Sequence, residues 1–208
     1  MTPSRHAKPP RKPRARQTGR RDEILGRALK LFSKHGVHAV TTRQIALAVG
    51  ISQPSLYAHF PTKQALVEAV CVRAFEALYK RMIETLQRIR GPAVLAKLAR
   101  AYVDFALDQP DAYRIALMNE ETYEYPDGPP NPAMQAGATA YRIYRSAIVR
   151  ELGANLSELD RDMLAQSLWV SLHGLVSLLL ARPTFHWCDR ERLIEFHIKR
   201  LHPTARPR

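Results

Sequence analysis

The sequence predicts an all-α protein in two parts, an N-terminal three-helix helix-turn-helix module and a larger C-terminal helical domain. Three observations carry this expectation. Apolar residues recur at helical spacing along most of the 208-residue chain, and no alternating strand pattern competes. Proline or glycine punctuates most junctions between those stretches. The formal net charge of +13 lies almost wholly at one end: residues 1–67 hold 13 Lys and Arg against two acids, whereas residues 68–208 hold 19 against 17. The expected division is a basic arm at 1–21, a helix-turn-helix domain at 22–67 and a larger helical domain at 68–208.

The first 21 residues carry eight Arg or Lys, no acid and four prolines. Such a segment cannot bury apolar surface and is expected to be disordered. It either follows phosphates and the minor groove or serves as a solvating tail. No apolar run follows the basic residues, which argues against a secretory signal and for a cytoplasmic protein.

From about Asp22, Ile24, Leu25, Ala28, Leu31 and Phe32 form an apolar helical stripe that ends at Gly36. Thr41 and Gln44 stand at capping-box spacing, so Thr41 is the expected N-cap of a second helix carrying Ile45, Ala46 and Val49. Gly50 is the natural corner, because only a residue without a Cβ enters the left-handed region cheaply. Ser52 can cap a third helix, in which Pro54 is tolerated because it falls in the first turn. Leu56 and Phe60 point to the core, while Gln53, Ser55, Tyr57 and His59 are left to face a DNA groove. Pro61 closes that helix, and Lys63 starts the next beside free N–H groups suited to a phosphate.

These residues resemble the N-terminal modules of TetR-type transcriptional regulators over about Asp22 to Leu66. The likeness rests on Thr41-Thr42-Arg43, Ile45-Ala46, Ala48 to Ser52 around Gly50, Leu56-Tyr57, His59-Phe60, and Lys63 followed by Leu66. It implies phosphate contacts by Thr42, Tyr57 and Lys63, assisted by Arg43, and base-edge reading by Gln53, Ser55 and His59. Pro54 stands in the same stretch, where many members carry glycine.

The C-terminal part is expected to hold helices over Lys63 to about Arg90, Pro92 to Asp108, Pro110 to about Asn119, Pro132 to Leu152, Ser157 to Ala181 and Asp189 to about Leu201. Glu120 to Asn131 is the one long loop and is expected to be mobile. Leu168 to Ala181 is apolar on nearly every side, so burial all round is expected, and the stretch is too short for a membrane span. With small residues at Ser171, Gly174 and Ser177 and an amphipathic last helix, the economical partner is the same helix pair in a second copy. A homodimer would present two recognition helices to the half-sites of a palindromic operator, roughly 34 Å apart or a multiple of that.

Trp169 to Leu178, together with Asp111-Ala112-Tyr113-Arg114, also resembles a WHG-like C-terminal domain found in one branch of the TetR family. That likeness implies a small-molecule pocket whose occupant changes the spacing of the recognition helices. Candidate ligand-binding residues are Tyr102, Phe105, Tyr113, Met118, Tyr123, Tyr141, Trp169 and His173, an aromatic set suited to an apolar or planar effector.

Other classes fit less well. The chain has no phosphate-cradling glycine loop, no nucleophile elbow and no H-E-x-x-H pair, so no enzyme and no cofactor is expected. His186, Cys188 and His197 lack metal-ligand spacing, and Cys71 and Cys188 read as buried thiols in a reducing compartment. The alternatives to a ligand-released repressor are a nonspecific cationic nucleic-acid binder and an activator of the same architecture.

Overall fold

The computed structural model describes residues 14–89, 93–118, 131–152 and 156–201, and among them every regular element is an α-helix. In chain order these are α1 (Arg14–His35), α2 (Thr42–Val49), α3 (Gln53–His59), α4 (Lys63–Arg88), α5 (Val94–Asp108), α6 (Pro110–Leu117), α7 (Pro132–Leu152), α8 (Glu158–Ala181) and α9 (Arg190–Leu201). The chain forms two compact units, Met1–Leu66 and Val67–Arg208.

In the first unit, α1 packs on α2 and α2 on α3. The core is drawn from the expected stripe, with Ile24, Leu25, Ala28 and Phe32 of α1 buried with Val40, Ile45, Ala46, Val49, Leu56 and Phe60. One expectation fails here: α1 begins at Arg14, so residues 14–21 of the anticipated arm are helical rather than disordered. Pro13 is the last proline in that stretch, and the Arg, Ala and Gln that follow are good helix formers. Arg20 also pairs with Glu23 one turn on (2.7 Å), and the Arg21 guanidinium lies 4.7 Å from the centre of the Phe60 ring. Residues 1–13 lie outside the described residues.

In the second unit, α5 contacts α6, α7, α8 and α9, and α7 packs on α8. Val103, Phe105, Tyr113, Ile148, Leu172 and Val176 lie at its centre. Helix α5 starts at Val94, and Glu151 of α7 caps it by accepting from the backbone N–H groups of Val94 and Leu95. Ion pairs tie the surface of the bundle, Arg145 of α7 to Glu158 and Asp162 of α8, and Arg100 of α5 to Glu191 of α9.

Helix α8 keeps the expected bounds, with Ser157 as its N-cap, but the whole helix, unlike its apolar stretch alone, is long and apolar enough by composition to cross a membrane. It is also not buried all round: Leu168, Leu172, Leu175, Val176 and Leu179 face the unit's interior, but Val170 is 64% exposed and Leu178 55%. Cys71 is buried, whereas Cys188 is exposed, against the expectation for both thiols, because it lies in the connector between α8 and α9. The predicted loop Glu120 to Asn131 lies outside the described residues except for Asn131, whose side chain accepts from the Met134 N–H and caps α7 (2.8 Å).

Candidate nucleic-acid interface and cavity

The helix-turn-helix is built by short-range signals. Thr41 Oγ1 accepts from Gln44 N, and Gln44 Oε1 accepts from Thr41 N at 2.8 Å, completing the capping box. Gly50 sits at φ 71°, ψ 37°, with its N–H and that of Ile51 returning to carbonyls of α2. Ser52 then caps α3 by accepting from Ser55 N, and Pro54 lies within the first turn. The corner is therefore fixed by backbone chemistry on both sides.

Three of the predicted DNA-contacting side chains form one hydrogen-bonded group. Gln53 Nε2 donates to Thr42 Oγ1 (3.0 Å), and Thr42 Oγ1 shares a hydrogen bond with Tyr57 Oη (3.1 Å). The Thr42 hydroxyl, followed by Gln53, holds the Tyr57 phenol below its usual value, while Tyr57 itself stays exposed. Helix α3 is thus locked to the start of α2 by the polar side chains that face outward from both. Arg43 and Pro54 are exposed beside this group, and Ser55 and His59 are half-buried. Lys63 donates to the His38 carbonyl (3.2 Å), using one of the three donors of its ammonium group. This link between a predicted phosphate residue and a predicted base-reading residue was not foreseen from sequence. Their separation of 11 positions carries no local signal.

The second unit holds a cavity of about 310 Å³ that is partly open to solvent. Three of the eight predicted ligand residues, Tyr102, Tyr141 and Trp169, line it. Phe105 and Tyr113 are core residues, buried to within 1% and outside the wall. Met118 is 38% exposed and also outside it, its place taken by its neighbour Leu117. Tyr123 lies outside the described residues. Sequence reasoning missed Phe75, Leu78 and Met82 of α4, Met134 and Tyr144 of α7, and Leu172 of α8, all wall residues. The α4 trio does show helical spacing, but nothing in the sequence says which neighbours face it.

His173 does not touch the cavity directly. Half-buried itself, it ends a chain in which the buried Tyr102 Oη and Tyr113 Oη share a hydrogen bond (2.9 Å) and Tyr113 Oη shares another with His173 Nδ1 (2.7 Å). Burial pushes the Tyr102 phenol up to about 12 and the Tyr113 phenol higher still, so both stay protonated. Removing the Tyr113 hydroxyl takes a close hydrogen bond from buried Tyr102 and from half-buried His173, which then approach each other only at 3.4 Å, Tyr102 Oη to His173 Nδ1. Tyr113→Phe is accordingly expected to cost about 1–3 kcal/mol of stability in urea denaturation, and an unchanged midpoint contradicts this.

Burial also lowers the His173 pKa, so the folded protein takes up a proton there only below the pH at which the unfolded chain does. Stability from this site is fully present above about pH 6.5 and is lost as the pH falls below that value. His173→Gln should flatten that acid-side slope of the denaturation midpoint, and an identical slope in the variant would sink the assignment.

Among the described residues no group of three or more His, Cys, Asp or Glu is placed to hold a metal ion. His197 Nε2 instead lies 3.3 Å from the Ser171 carbonyl oxygen.

Comparison with known proteins adds a second line of evidence. Residues 24–70 match the family described as "Bacterial regulatory proteins, tetR family", and residues 95–201 match the "Tetracyclin repressor-like, C-terminal domain". The chain is 30% identical over 95 residues to the HTH-type transcriptional regulator YobS of Bacillus subtilis, covering 46% of this chain and 50% of that one. It is 41% identical over 70 residues to the HTH-type transcriptional repressor KstR2 of Rhodococcus jostii, covering 34% and 32%. The chain thus spans half or less of these curated relatives. A solved TetR family transcription regulator from Marinobacter aquaeolei superposes with a TM-score of 0.70 at 19% identity, covering 91% of this chain and 96% of that one, which shows the shared fold. Proteins of this family are transcriptional regulators rather than enzymes, and they bind DNA and small-molecule effectors as dimers. With the C-terminal match alone extending over more than half of its length, the chain belongs to the TetR family of bacterial regulatory proteins.

Proposed function

We propose that this chain is a ligand-responsive transcriptional repressor that binds a palindromic operator as a homodimer in the cytoplasm and is released by a small apolar or aromatic molecule. The observation that carries the reading is the locked group Thr42, Gln53 and Tyr57 on a capped helix-turn-helix. In this reading Thr42, Tyr57, Lys63 and Arg43 hold phosphates, while Gln53, Ser55 and His59 meet base edges and Pro54 sets the approach of α3.

The exposed apolar side of α8, with Val170 and Leu178 around the small residues Gly174 and Ser171, supports a second copy as its cover, together with Phe196 of α9. One α3 reads few bases, and two related by a twofold axis read a palindrome. The cavity supports an effector site, and part of its wall comes from α4, the helix that begins at Lys63. An effector that prefers the form unable to span both half-sites shifts the equilibrium by no more than that preference, typically about 1–3 kcal/mol.

The test is a gel shift of the DNA flanking the protein's own coding region, which should show one palindromic site and release by a metabolite of the neighbouring genes. Within that assay, Tyr57→Phe should weaken binding across all duplexes. Lys63→Ala should do the same and reduce the log-log salt slope by about 0.9. The slope separates phosphate contact from loosening of the loop at His38, which would leave it unchanged. Deleting residues 1–13 should also lower the slope, yet the preference for one duplex should persist. Loss of all preference with the arm would favour nonspecific cationic binding instead.

A further inference from the structure

The cavity also constrains what its occupant is, and this step rests on reading the cavity as the effector site. We infer that it takes a neutral, apolar, planar molecule about two rings in size with one hydrogen-bond-accepting oxygen, and that the Tyr141 hydroxyl donates to that oxygen.

Size comes first. A cavity of about 150 Å³ lined by aliphatic and aromatic side chains accommodates one benzene. The present cavity, at about 310 Å³, is twice that.

Charge comes second. Among the described residues the wall holds aliphatic and aromatic side chains, with tyrosine hydroxyls and the Trp169 indole as its only polar side-chain groups, and no charged one. An ionised ligand would leave water without meeting a counter-charge there.

Shape follows from the rings. Tyr141 and Trp169 stand 5.9 Å apart between centroids at an interplanar angle of 58°, forming a corner of aromatic faces that suits a flat partner. Gly137 leaves room for another ring of the wall, since a Cβ there would stand only 3.1 Å from the Phe75 ring.

The hydrogen bond falls to the wall hydroxyl that the protein leaves buried and unpartnered. The Tyr102 hydroxyl is already engaged by Tyr113, whose own hydroxyl is tied to His173. The Tyr141 hydroxyl, by contrast, is buried and has no hydrogen-bond partner. Burial raises its pKa, so it remains a protonated donor. Buried hydroxyls are nearly always satisfied in folded proteins, and an oxygen on the occupant would satisfy this one.

The test compares three compounds on one scaffold by titration calorimetry with the full chain: naphthalene, 2-acetylnaphthalene and 2-naphthoate. The ketone should bind about fivefold tighter than the hydrocarbon, as one neutral hydrogen bond provides, and the carboxylate should bind weakest. Tyr141→Phe should erase the advantage of the ketone and leave naphthalene unchanged. The ranking on the unaltered protein needs no variant to fold. Tightest binding by 2-naphthoate, no difference between ketone and hydrocarbon, or no binding by any of the three overturns the inference. Release of operator DNA is read separately: binding in the expected order without release contradicts the effector reading of the cavity and leaves the ligand class standing.

Discussion

Leu56→Ala is expected to destabilise the N-terminal unit by about 2–5 kcal/mol and to abolish operator binding with it. Leu56 is 1% exposed and is the buried residue of α3, the helix that packs on α2. A short helix has little stability of its own, so beside its hydrogen bonds to Thr42 its position rests on buried apolar contact, to which Leu56 is the contributor from within the helix. The unit is small, and a loss of this size approaches the whole stability of a small domain. Denaturation should be followed by a probe within residues 14–66, since two compact units need not unfold together. Leu47→Ala is the control: Leu47 is 80% exposed on α2, and its truncation should shift the midpoint by no more than about 0.5 kcal/mol. Equal effects at the two positions would contradict the core assignment.

Gln53→Ala is expected to change which duplex is preferred, at about 1–3 kcal/mol for the base pair it reads, rather than to weaken every duplex alike. The structure adds a complication that the sequence did not contain. Because Gln53 Nε2 donates to Thr42 Oγ1, the variant also removes one of the two hydrogen bonds that hold the Thr42 hydroxyl, leaving its bond to Tyr57, and in the proposed reading both hydroxyls hold phosphates. Thr42→Val separates the two effects, since it removes the anchoring hydroxyl while keeping the Gln53 amide. Competition among operator variants, each changed at one base pair, should show a flattened preference at one position for Gln53→Ala and a uniform loss for Thr42→Val. A uniform loss from both substitutions would place Gln53 among the phosphate-positioning residues instead.

The helix-turn-helix was legible because its signals are local. A capping pair three residues apart, a glycine at a left-handed corner and a proline in a first turn each act within one or two turns of chain, and all three stand where the sequence put them. The start of α1 was not legible, because composition rich in Arg and Pro argued for disorder while the residues after Pro13 were themselves good helix formers. The cavity was legible only in part, for a different reason. Aromatic residues at helical spacing identify an inward face, but whether that face closes on a neighbour, as at Tyr113, or leaves space, as at Tyr141, depends on packing between helices far apart in sequence. Phe75 and Leu172 lay in the same position, visible as apolar and invisible as a wall. The apolar run of α8 likewise predicted burial without saying by what, and one of its sides remains exposed in the single chain.

The central claim is that α3 is presented in duplicate to the edges of bases. Footprinting with the purified full chain on DNA flanking its coding region tests this most directly. Two protected half-sites in a palindrome are expected, roughly 34 Å apart or a multiple of that, each lost when its own bases are changed. Uniform protection along the duplex, or none at any sequence, would contradict it.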